Sequence, residues 1–170
     1  MLVLSPATAH DLAALQVIER SATDLYYEAG FSRLAIRPRG DTDMRALLGQ
    51  TTILLARDGD DAIGYVSYYP RGPYMHLEEI AVRRDRQGRG SGRQLADQVL
   101  AAARADPQCS HLSLVAFCRA AWALRLYDRL GFRPLIALPG PLPHAELLTE
   151  LLPEAPADEP RQVMVMPIAS

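Results

Sequence analysis

The chain has 170 residues, of which 49% are hydrophobic and 22% charged, and its formal net charge is −2. These values describe one ordinary globular domain spanning residues 1–170, able to bury about 70% of its extended-chain surface, and the bulk charge points to no nucleic-acid or membrane partner. No apolar run approaches the roughly 18 to 20 residues of a membrane span and the first residues lack a secretory pattern, so a cytoplasmic location is expected.

In chain order, Leu2 to Leu4 suggests a first strand, and Thr8 with Asp11 resembles a helix start ahead of a helix reaching about Tyr27. Residues 30–40 form a loop containing Pro38, after which Asp41 or Thr42 is expected to cap a second helix through Leu48. Thr51 to Arg57 and Ile63 to Tyr69 are β-rich runs joined by Asp58-Gly59-Asp60-Asp61, a hairpin signal. A strand from Tyr74 to Val82 follows, then a helix over 90–105, a strand from His111 to Phe117, a helix over 120–130 and a strand over 132–138. The stretch 139–161 is rich in proline, with a short helix candidate from Ala145 to Leu152; it is expected to be mobile and either to cover a substrate site or to connect strands. Gln162 to Met166 reads as the last strand. This order predicts an α+β fold, a mixed sheet flanked by helices.

The densest signal is Gln87-Gly88-Arg89-Gly90-Ser91-Gly92-Arg93, lying between the strand that ends at Val82 and an amphipathic helix. Glycine admits positive φ and close backbone approach, and a helix N-terminus offers unpaired N–H groups, so a strand-to-helix turn of this kind suits a pyrophosphate. Arg83, Arg84, Arg86, Arg89 and Arg93 fall within eleven residues, opposed only by Asp85, and an anion site accounts for that cluster better than a solvated turn. The P-loop pattern fails because the chain contains no lysine. The dinucleotide fingerprint fails because Gly88, Gly90 and Gly92 alternate. Cys109 and Cys118 have no metal-ligand spacing, so free thiols and no metal are expected.

Gln87, Gly90 and Gly92 satisfy Q/R-x-x-G-x-G/A, and Leu126-Tyr127-Asp128-Arg129-Leu130-Gly131-Phe132 satisfies L-Y-x-x-x-G-F. Together these motifs resemble the GNAT N-acetyltransferase superfamily over about Thr51 to Pro134, with a coenzyme-binding core at about 74–134. The resemblance implies a GNAT-like fold in which two central strands, Tyr74 to Val82 and His111 to Phe117, splay around coenzyme A. It also implies acetyl-CoA as donor, held by the turn and by the backbone of Ile80, Ala81 and Val82, with Tyr127 as the acid that protonates the departing thiolate. One departure is Ala120, seven positions before that tyrosine, where many relatives carry an asparagine that contacts the coenzyme arm.

Acyl transfer to a lysine-like amine needs the amine neutral, which at pH 7 costs roughly 4.6 kcal/mol for a pKa of about 10.4. Glu78 and Glu79 are the candidates to take that proton; strand alternation puts one of them on the cleft face, with Glu79 slightly favoured and His76 a lesser alternative. The acceptor region implied by the resemblance contributes Tyr26, Tyr27, Glu28, Phe31, Tyr68, Tyr69 and Tyr74, aromatic walls suited to a cationic amine, either a small molecule or a peptide. Three readings stand: an active N-acetyltransferase, a coenzyme A-binding sensor without activity, and an unrelated α+β protein with a structural glycine turn. A homodimer is one state open to the chain.

Overall fold

The computed structural model describes residues 2–152 and 159–168. It has a mixed α+β fold, a seven-stranded mixed sheet flanked by helices. The elements are β1 (Leu2–Pro6), α1 (Leu12–Glu28), α2 (Asp41–Gln50), β2 (Thr52–Asp58), β3 (Asp61–Arg71), β4 (Tyr74–Val82), α3 (Ser91–Ala105), β5 (His111–Phe117), α4 (Ala121–Leu130), β6 (Arg133–Pro134), α5 (Glu146–Thr149) and β7 (Arg161–Pro167). Their contacts divide into two compact units, one holding residues up to Tyr69 with Glu78–Gln98, the other Pro70–Leu77 with the chain from Val99 on.

In the first unit Thr8 caps a 3-10 turn ahead of α1, and the Asp11 carboxylate accepts from the Thr8 N–H, closing a capping box. Leu12, Leu15 and Ile18 then recur on one face of α1 and enter a core with Met44 and Leu47 of α2, Ile53 and Leu55 of β2 and Tyr65 of β3. The second helix is capped by Gly40 rather than by Asp41 or Thr42; Asp41 is already helical and holds Arg45 one turn on. β1 and β3 both run antiparallel to β2. Gly59 has φ +62° at the first residue of the two-residue turn between β2 and β3, the position a type II′ hairpin reserves for glycine. Farther along β3, Gly64 faces β4 so closely that a Cβ there would lie 2.8 Å from the Ala81 carbonyl oxygen and 3.3 Å from Leu95 and Val82.

In the second unit β5 pairs in parallel with Tyr74–Leu77 of β4 and antiparallel with β7, which also carries β6. The expected strand over 132–138 is only two residues long. Pro134 leads directly into a 3-10 turn over Leu135–Ala137, so Leu135 and Leu138, three apart, pack on the core while Ile136 is 94% exposed. Alternation predicts the opposite placement of Ile136. The helix candidate at Ala145 to Leu152 is a single turn, α5, whose Leu148 is fully buried. Arg71 anchors it by donating to the Leu147 carbonyl and the Glu150 carboxylate, and the Tyr74 hydroxyl donates to the Pro143 carbonyl. Residues 153–158, part of the stretch expected to be mobile, lie outside the described residues.

Substituting Gly64→Ala should destabilise the protein by about 1–3 kcal/mol, since neither a backbone carbonyl nor two packed side chains can yield freely. A denaturant midpoint equal to that of the parent would show that β3 and β4 are not in such close contact.

Candidate active site

The glycine turn is built by backbone geometry. Gly88 and Gly90 have φ +76° and +85°, conformations costly for any residue with a Cβ, and nothing lies within 4 Å of where either Cβ would be. The Gln87 side chain donates back to the Val82 carbonyl at 2.9 Å and so ties the turn to the end of β4. The first bond of α3 runs from the Gln94 N–H to the Gly90 carbonyl at 3.1 Å, which leaves the N–H groups of Ser91, Gly92 and Arg93 ahead of the helical ladder. Open space, two left-handed glycines and a helix N-terminus fit a pyrophosphate.

The arginine cluster divides. Arg83 is bound by Asp61 and Asp85, Arg86 by Asp61 with Asp58 and Asp85 nearby, and Arg84 by Glu28. Long-range carboxylates, invisible to local sequence, thus neutralise three of the five arginines that suggested an anion site. Glu28, named for the acceptor region, is committed to Arg84, whose hydrogen bond lowers its pKa. Arg93 has only a loose contact of 3.8 Å with Asp97, and exposed Arg89 makes no ion pair among the described residues.

Both β4 glutamates converge on Arg39 of the loop between α1 and α2. Its guanidinium lies 3.1 Å from a Glu79 oxygen and 3.6 Å from a Glu78 oxygen. Alternation along β4 therefore does not separate the pair as expected, because a forked guanidinium reaches carboxylates from successive residues. The same group is 3.1 Å from Glu19, which also accepts from the Arg39 backbone N–H at 2.8 Å and from the Tyr65 hydroxyl at 2.8 Å. Although a third of the Glu79 side chain is exposed, the protein packed around its carboxyl raises the pKa to about 7. Arg39 opposes that rise, and the charges of Glu19 and Glu78 add to it. Burial works against the Arg39 charge, but Glu79 and Glu19 outweigh it and hold its pKa well above the usual value. Burial first, and then the Glu79 and Glu19 charges, push the Tyr65 hydroxyl up.

Sequence reasoning missed Glu19, Arg39 and Tyr65. The available signal was an acid on the apolar face of α1, one position after Ile18 and four after Leu15.

Ala81 lies in the core and the Val82 carbonyl is occupied by Gln87, while the Ile80 and Val82 side chains are half-buried. In the second unit Tyr127 is 8% exposed on α4 and packs edge-on against Phe132 at 6.0 Å. Gly131, with φ +105°, ends that helix as the L-Y-x-x-x-G-F pattern predicts. Ala120 is the N-cap of α4 and supplies no side-chain oxygen. Among the predicted acceptor residues, Tyr26 packs edge-on against buried Phe31 at 5.3 Å. The Tyr27 hydroxyl donates to the Ile36 carbonyl, with Arg33 over its ring. Tyr69 and Tyr68 are half-buried on β3. Cys109 and Cys118 are free thiols. Among the described residues no His, Cys, Asp and Glu group is arranged for a metal, and no helix is long and apolar enough to cross a membrane.

A model of the acetyltransferase (GNAT) family matches residues 16–132. Solved structures of similar fold include the ribosomal-protein-S18-alanine N-acetyltransferase of Escherichia coli, 20% identical, with a TM-score of 0.72 over 100% of this chain and 96% of that one. The NAA60 protein of Arabidopsis thaliana, solved with a bisubstrate analogue, is 18% identical with a TM-score of 0.71 over 98% of both chains. PaiA N-acetyltransferase of Thermoplasma acidophilum, solved with coenzyme A, is 11% identical with a TM-score of 0.71 over 98% of this chain and 99% of that one. No curated protein sequence matches.

His76, the lesser candidate for a base, is 2% exposed and its Nδ1 lies 3.0 Å from the Ser113 hydroxyl. Burial, reinforced by the Arg71 charge, pushes its pKa from 6.5 down to about 4, so the imidazole is neutral near pH 7. Because the folded value lies below the unfolded one, the stabilisation is present above about pH 6.5 and is lost as pH falls toward about 4, by up to about 3 kcal/mol. Urea midpoints should therefore fall across that window, and less steeply in His76→Gln. Equal slopes in the two proteins would contradict a buried neutral imidazole.

Proposed function

Because the chain belongs to the GNAT acetyltransferase family, we propose that it transfers an acetyl group from acetyl-CoA to a primary amine, of a small molecule or a peptide, by direct attack of the amine on the thioester. The observation that carries this reading is the turn at Gly88 and Gly90, whose left-handed backbone and open surroundings ahead of α3 suit a pyrophosphate. Its donors are chiefly backbone amides from Gly88 to Arg93, with Arg89 and Arg93 the cluster's arginines best able to add charge. The backbone of Ile80 to Val82 orients the donor's arm. Acetyl-CoA supplies the acetyl group as a thioester.

Glu79 takes the amine proton. A carboxyl with a pKa of about 7 is ionised in half or more of the molecules at neutral pH and is far more basic than an ordinary glutamate, a useful compromise for a general base. Glu78, beside it on the same guanidinium, adds negative charge that favours a cationic acceptor. Tyr127 gives a proton to the leaving thiolate as general acid. Tyr26, Tyr27, Phe31 and Tyr69 bound the acceptor. Ala120, which gives α4 no polar cap and the donor no side-chain contact, favours the second reading, a coenzyme A-binding sensor.

Free thiol release from acetyl-CoA in the presence of a panel of amines and peptides separates the two. Turnover supports the transferase; coenzyme A binding without turnover on any acceptor supports the sensor. Gly90→Glu should weaken coenzyme A binding at least tenfold, as it places a strained, negatively charged residue in the turn, and unchanged affinity would remove the phosphate assignment. Tyr127→Phe should lower kcat by about 10²–10⁴-fold with coenzyme affinity preserved. If kcat is untouched, another group or water protonates the thiolate.

A further inference from the structure

The cluster around Arg39 holds more carboxylates than it can neutralise. Glu19, Glu78 and Glu79 carry three negative charges against one guanidinium, a net of −2 when all are ionised. The hydrogen bonds are shared unequally. Glu19, whose side chain is 8% exposed, receives three: the Arg39 backbone N–H and guanidinium on one oxygen, and the Tyr65 hydroxyl on the other. Glu79 receives one, from the guanidinium, at 3.1 Å. Glu19 is thus held through both of its oxygens, whereas Glu79 is held through the Arg39 guanidinium alone.

We propose that Arg39 is a positioning residue, pinned by Glu19 and Tyr65, which holds the Glu79 carboxyl in place and decides how readily it takes a proton. The clamp is long-range, tying residues 20 and 40 positions apart in sequence: α1 supplies Glu19, the loop supplies Arg39, and β4 supplies Glu79. Arg39 stands between Pro38 and Gly40, and Gly40 caps α2, so the same residue fixes the end of its loop and the charge facing the base. Four groups face Glu79: Arg39 from the loop, Glu19 from α1, Tyr65 from β3 and Glu78 beside it on β4. Their signs yield opposed expectations. Removing the cation makes Glu79 easier to protonate, whereas removing the Glu19 charge makes it harder. A merely structural role for the cluster would move both variants in one direction.

The inference rests on Glu79 acting as the base for its catalytic consequence, but not for its direct measurement. The Glu79 side-chain carboxyl can be titrated by carbon-13 NMR, its signal assigned by its loss in Glu79→Gln, in the parent, Arg39→Gln, Arg39→Lys and Glu19→Gln proteins. Arg39→Gln should raise the titration midpoint by about 1–3 pH units, Arg39→Lys should raise it less, and Glu19→Gln should lower it. The acid limb of kcat/KM should follow in each case, while coenzyme A affinity stays within about twofold, since the turn is untouched. If Arg39→Gln does not fold, Arg39→Lys and Glu19→Gln still carry the opposed signs. Midpoints that do not move, or that move together in the Arg39 and Glu19 variants, overturn the proposal. If the midpoints move as expected while the kinetic limb stays still, the clamp stands and the assignment of Glu79 as base falls.

Discussion

Charge held within a protein must be matched, and here one guanidinium answers for three carboxylates. That shortage organises the first unit. Arg39 can satisfy Glu19 only if its loop folds back beside α1, and it can reach Glu79 only if the same loop passes over β4. Tyr65 completes Glu19 by donating its hydroxyl to the second oxygen from within the core. Burial of the Glu79 carboxyl raises its pKa to about 7, Arg39 opposes that rise, and the charges of Glu19 and Glu78 add to it, at the strand position proposed to serve acyl transfer.

The turn ahead of α3 works on a different principle. The anion site proposed there draws on backbone direction, two glycines in the left-handed region and amides ahead of the helical ladder, rather than on accumulated positive charge. The neighbouring arginines serve the fold. Arg83 and Arg86 bind Asp61 at the hairpin between β2 and β3, and Arg84 binds Glu28 at the end of α1. The Arg84 pair is exposed and worth little in stability, while the two pairs to Asp61 are half-buried. Together the pairs tie the segment leading out of β4, and with it the start of the turn, to the β2–β3 hairpin and to α1.

Local rules carried the elements whose cause is local. The Thr8–Asp11 capping box, the Gly59 turn, the C-terminal Gly131 and the strands 74–82 and 111–117 all appear where residue spacing puts them. Expectations failed where a tertiary contact overrides a short pattern. Leu135 and Leu138 take helical spacing to reach the core, so β6 stops at Pro134. Gly40 displaces the polar residues after it as the cap of α2. For the candidate site, the glycine turn, Tyr127 and the two β4 glutamates were legible as motifs or as chemistry on a strand. The Arg39 cluster was not, because its members come from α1, a loop, β3 and β4, and apart from the adjacent Glu78 and Glu79 no local pattern links them. An acid among Leu15 and Ile18 on α1 was the only trace it left.

Glu79 is proposed to accept the amine proton, with a pKa of about 7. The pH dependence of kcat/KM for acetyl transfer, measured in the parent protein and in Glu79→Gln, tests it most directly. An acid limb with a midpoint at about 7 is expected in the parent, and a low rate without that limb in the variant. An identical limb in both proteins would contradict it.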